Sequence, residues 1–112
     1  MGRSDDFKKK YGSLARRVPM LVLTNGLGQT LAYLRSKGKN DEDNEHNLLF
    51  RQLSDWTMSQ VVPDNKNDQN QNLLDWILHN NSIAYLQATN EALAYLTWLK
   101  RFAEAELPSE GD

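Results

Sequence analysis

The chain has 112 residues, 39% hydrophobic and 25% charged, which is room for one domain (1–112) with a core of its own and too apolar for a disordered tail. Cysteine is absent, which excludes disulfides, thiolate nucleophiles and thiolate metal sites, and no apolar run approaches the roughly 20 residues of a membrane span. The net charge of −2 hides an asymmetry: residues 1–39 sum to +7 and residues 40–112 to −9.

The predicted elements are helical, because apolar residues recur at spacings of three and four. A first helix is expected from Ser4, whose hydroxyl can cap it, with Asp5 and Asp6 at the positive end of the helix dipole. Phe7, Tyr11, Leu14 and Val18 form its buried stripe, with Lys9 and Arg16 opposite and Lys10 and Arg17 on the adjoining face. Gly12 points to a close approach or a weak point, and Pro19 is expected to break or kink the helix. A second helix follows Asn25-Gly26, turns Leu27, Leu31 and Leu34 inward and ends at Gly38. Gly38–Asn47 and Pro63–Asn72 are so polar that both read as loops. Leu49, Leu53 and Trp56 mark a third helix stopped by Pro63, and Leu73, Leu74, Ile77 and Leu78 a short fourth. The fifth, Ser82–Leu107, is the longest at about 37 Å. Its apolar residues, from Tyr85 and Leu86 to Phe102 and Leu107, span an arc of about 200°, wider than a one-sided helix needs. The fold class is therefore all-α, a compact bundle of about five helices with a long C-terminal helix.

Motif fragments that suggest chemistry fail on inspection. Met20–Leu31 imitates the opening of a dinucleotide fingerprint, but Leu31 replaces the third glycine and no second βαβ element follows; a tight helix–helix junction explains Asn25–Gly28 better. Asp64–Asp68 imitates a calcium loop, but Lys66 stands where an oxygen ligand belongs. His46 and His79 are the only imidazoles, and neither has a second histidine at ligand spacing. No nucleophile, base and orienting group come together, so no enzyme, cofactor or metal is expected.

Binding is what the charge asymmetry suggests. Lys9, Lys10, Arg16 and Arg17 form a candidate phosphate ladder, with Arg35, Lys37 and Lys39 as a second group. Tyr11 and Tyr33 either stack on unpaired bases or pack in the core, and the basic faces either track a polyanion or dock on acidic protein. Trp98 falls outside the apolar arc of the fifth helix, grouped on the wheel with Ile83 and Ala94. It either belongs to a subunit contact or packs under a loop of its own chain.

Two blocks, Ser13–Lys37 (SLARRVPMLVLTNGLGQTLAYLRSK) and Ile83–Leu107 (IAYLQATNEALAYLTWLKRFAEAEL), resemble the signatures of the small subunit of the type III-B (Cmr) CRISPR effector complex. The resemblance implies a small helical protein without catalysis; the lack of a secretory signal and of an apolar span leads us to expect it in the cytoplasm, away from any membrane. The resemblance further implies that copies stack beside the other subunits of the ribonucleoprotein and help to form the groove where guide RNA pairs with target RNA. By position it adds Lys100 and Arg101 to Arg16 and Arg17 as RNA contacts, and it matches Asn25, Gly26 and Gln29 to a junction motif.

Overall fold

The computed structural model describes residues 5–38, 44–62 and 72–107. These form five helices and, among the described residues, no strand: α1 (Asp5–Asn25), α2 (Leu27–Gly38), α3 (Glu45–Val61), α4 (Leu73–Leu78) and α5 (Ser82–Glu106). The expected Ser4 cap, Lys39, half of the first polar loop, nearly all of the second with Asp64–Asp68, and Pro108 lie outside the described residues.

α1 carries Asp5 and Asp6 in its first turn, as the dipole favours, and buries Tyr11, Leu14, Ala15, Val18 and Val22. Pro19 does not end it. An interior proline costs about 3 kcal/mol, but Val18 and Val22 on either side are buried in the core, each contributing about 1.5–3 kcal/mol, and they hold the helix through to Asn25. The turn into α2 is made by Gly26, at φ 91°, a backbone region that side chains resist. Its N–H donates to the Val22 carbonyl at 2.8 Å, and its own carbonyl accepts from Thr30 N (3.2 Å) and Thr30 Oγ1 (2.9 Å). The free Gly28 N–H at the start of α2 donates to Tyr85 Oη at 3.2 Å. Met20–Leu23 is thus helix rather than strand, and Asn25–Gly28 is a packed junction rather than a phosphate cradle.

α2 buries Leu27, Leu31 and Leu34, and Arg35 and Lys37 occupy its last turn, where positive charge suits the exposed carbonyls. The expected loop from Gly38 to Asn47 is shorter than its composition suggests. Gly38 still belongs to α2, and α3 begins at Glu45 because the Asn44 carboxamide accepts from His46 N at 2.7 Å and caps it. The two helix ends nearly touch: a Cβ on Gly38 would fall 2.7 Å from the Asn47 backbone nitrogen. Gly38→Ala must push backbone from backbone, so we expect a loss of about 1–3 kcal/mol, read as a lower thermal midpoint.

α3 buries Leu49, Phe50 and Leu53 and ends two residues before Pro63. The buried Ser54 Oγ accepts from Leu73 N at 2.7 Å, which fixes the start of α4 against α3. Asn72 and Asn81 cap α4 and α5 by accepting from Asp75 N and Ala84 N.

α5 packs chiefly on α1 and α3. It runs antiparallel to α1, because Gly12 lies against Leu107 while Gly26 lies against Tyr85. A Cβ at Gly12 would meet Leu107 Cβ at 3.4 Å, an ordinary packing contact. The wide apolar arc of α5 is only partly covered. Ala88, Ala92, Leu96, Leu99 and Ala103 are buried, whereas Leu86 is 60% exposed and Phe102 39%. Two neighbouring helices enclose one side of α5 and leave the edges of the arc open. The length of α5 sets the long axis of a molecule measuring 43 × 25 × 24 Å.

Candidate nucleic-acid interface

Most of the predicted basic residues are exposed, but they are not equivalent. Lys9, Arg17, Arg35, Lys37, Lys100 and Arg101 all reach solvent. Lys10 does too, with its Nζ 3.3 Å from Asp6 Oδ2, an exposed pair that adds little to stability. The Arg35 guanidinium lies over the Phe50 ring, 5.7 Å from its centroid. Arg16 is half-buried and turned inward. Its guanidinium donates to the carbonyls of Ala103 (3.4 Å) and Leu107 (3.5 Å) at the end of α5, the first of which also accepts from Leu107 N. These bonds bring the two signature blocks together, with Arg16 beside the helical turn that begins at Lys100.

Tertiary structure brings Arg17 and Lys37 within electrostatic reach of one group, His46, although twenty positions separate them in sequence. α1 and α2 fold back at Gly26, so both cations act on His46 at the start of α3. The His46 side chain is 13% exposed, its Nδ1 lies 2.8 Å from Asn44 Oδ1, and Glu45 Oε2 is 3.5 Å away. Burial holds its pKa below the usual histidine value; Glu45 opposes this, while Arg17 and Lys37 reinforce it. The unfolded chain therefore takes up the proton first, so stability present above the unfolded pKa of about 6.5 declines as pH falls below it. In thermal unfolding from about pH 8 to about pH 5, His46→Gln should flatten this decline relative to the native chain.

Between α1 and α2 the backbone leaves a cleft of about 320 Å³, lined by Arg17, Leu21, Asn25, Gln29, Thr30 and Tyr33. Tyr33 stands half-buried, its ring nearly perpendicular to that of His46 with the centroids 5.8 Å apart. Tyr11 belongs to the core instead: it is 7% exposed, and its hydroxyl donates to Gln52 Oε1. Burial, with Tyr95 nearby, raises its pKa, and the ring offers no face to a base.

A second surface is aromatic. Trp98 is 59% exposed, so no described segment of its own chain covers it. It stacks on Phe102 at 5.8 Å and leans on Tyr95 at 6.2 Å, and Tyr95 in turn stacks on Trp56 at 5.3 Å. Hollows of about 360 and 490 Å³ flank this ladder, the first with Lys8 on its rim and the second with Ala94. Ile83 is 69% exposed but sits about 22 Å along the helix from Trp98, so the two share a direction on the wheel without sharing a patch. The aromatic ladder escaped the helical wheel because Trp56 joins it from α3.

The fold and its surfaces define a class: a small all-α protein with exposed basic side chains on α1 and α2 and an aromatic strip on α5 that the described residues leave exposed. Among the described residues no helix is long and apolar enough to cross a membrane, and no group of three or more histidine or acidic side chains is placed to hold a metal ion. Residues 1–106 match the family described as CRISPR-associated protein (Cas_Cmr5), and the chain belongs to that family. It is similar to the CRISPR system Cmr subunit Cmr5 of Thermus thermophilus, with 29% identity over 96 residues, covering 86% of this chain and 74% of that protein.

Proposed function

We propose that this protein is a non-catalytic, cytoplasmic subunit of a type III-B CRISPR effector complex, where it packs beside other subunits and helps to form the groove for guide and target RNA. Family membership supports the first part. The observation that carries the second is the exposed basic flank, where Lys9, Arg17, Arg35 and Lys37 project from α1 and α2 with no carboxylate paired to them among the described residues. Such a flank recognises backbone charge, while base pairing between guide and target reads the sequence. Lys100 and Arg101 add exposed cations on α5, and Lys10 contributes once it parts from Asp6. Arg16 is engaged with the end of α5 instead.

The aromatic strip suits contact with other subunits, since large rings dominate stable protein contacts. Ile83 and Leu86 near one end of α5 and Trp98 near the other are different apolar surfaces, which is what head-to-tail stacking of copies requires. The exposed basic side chains also fit a second reading, an adaptor whose basic face docks an acidic partner and which never meets RNA. Crosslinking in the assembled complex separates the two: adducts between RNA and α1 support the groove, and their absence, with crosslinks to protein alone, supports the adaptor.

A further inference from the structure

The cleft between α1 and α2 has a graded lining that a merely solvated crease would not need. Arg17, Leu21 and Asn25 follow one another at intervals of four on α1, and Gln29 and Tyr33 do the same on α2, with Lys37 one turn beyond. One end therefore carries the Arg17 guanidinium, with Lys37 a turn past the lining, the middle an isobutyl group and a phenol ring, and the other end two carboxamides. From Arg17 to Asn25 the rise is about 12 Å, close to the reach from the phosphate of a nucleotide to the far edge of its base. The volume of about 320 Å³ lies at the low end for small-ligand sites, enough for a single nucleotide unit and too little for a duplex.

Three of the lining groups await partners. Among the described residues nothing hydrogen-bonds or pairs with the Arg17 guanidinium or with the carboxamides of Asn25 and Gln29, and no carboxylate lines the cleft. Thr30, by contrast, is already bonded to the Gly26 carbonyl and serves the wall.

We propose that this cleft holds one unpaired RNA nucleotide, its phosphate on Arg17 and Lys37, its base against Leu21 and Tyr33, and its polar edge on the carboxamides of Asn25 and Gln29. A carboxamide offers both a donor and an acceptor, so the site tolerates different bases and discriminates among them only modestly. The inference rests on the groove reading above and adds a defined position within it, at which one nucleotide leaves the stack.

The test uses the full chain, nitrogen-15 labelled, titrated separately with each ribonucleoside 5′-monophosphate and with inorganic phosphate. The expected result is saturable movement of the Asn25 and Gln29 side-chain amide signals with the nucleotides. Gln29→Ala, a surface change, should weaken mononucleotide affinity at least about fivefold. Carboxamide signals that stay still, or move equally with inorganic phosphate, overturn the nucleotide site. If single-stranded RNA still shifts signals along Lys9 and Lys10 while the carboxamides are silent, only this inference falls. If RNA also fails to crosslink to α1 in the assembled complex, the groove reading falls with it.

Discussion

Reversing Lys9, Lys10, Arg17 and Lys37 to Glu should leave the subunit folded and able to assemble, and should weaken binding of target RNA by the complex. All four side chains are exposed, and Lys10 loses only a surface pair with Asp6. Each phosphate contact removed should lower the slope of log affinity against log salt by about one. With all four charges reversed, the fall in affinity at low salt should exceed about tenfold and should shrink as salt is raised. Filter binding or fluorescence anisotropy across a salt series measures both quantities, and unchanged slope and affinity would remove these residues from the groove. Arg16 is left out for a structural reason. Its reversal would set a carboxylate against the Ala103 and Leu107 carbonyls and loosen the packing of α1 on α5, confusing a folding defect with a binding one.

The second large effect is expected at Trp98. Trp98→Ala removes a ring that is 59% exposed, so the isolated subunit should unfold at nearly the native temperature. Its incorporation into the complex should nonetheless weaken by about 2 kcal/mol or more, roughly thirtyfold, the scale of a buried aromatic at a protein contact. Leu96→Ala, two residues away and fully buried, makes the contrast, with about 2–5 kcal/mol lost from folding itself. Thermal denaturation of the subunit and quantitative reconstitution of the complex read the two outcomes. A Trp98→Ala chain that unfolds like the Leu96→Ala chain would show the ring to be part of the core.

The helices and their inward faces were legible in the sequence, because apolar spacing and backbone capacity are local properties. Leu14, Leu31, Leu53 and Leu96 sit at helical intervals within their own segments, and each is buried. Gly26 and Gly38 could be read as helix ends for the same reason, since a glycine after a periodic run has few other uses. The two signature blocks also pointed to the family, because they preserve strings of residues rather than merely a pattern of polarity. Tertiary contacts decided between local alternatives: Pro19 does not break α1, because Val18 and Val22 are held in the core, and Glu45–Asn47 become helix because Asn44 caps them.

How the basic residues divide was settled by packing between helices. Arg16 and Arg17 are neighbours in sequence, yet about 100° of helical rotation turns one toward the carbonyls of α5 and the other toward the α1–α2 cleft. Tyr11 and Tyr33 both lie near bases, and only packing shows that the first is enclosed by α3 and α5 while the second borders the cleft. The aromatic ladder is likewise invisible on any single helix, since Trp56 and Tyr95 meet from different elements. Periodicity reports which face of a helix is apolar; which neighbour covers that face, and which groups from distant segments then share a surface, depends on the angles and closures of the bundle.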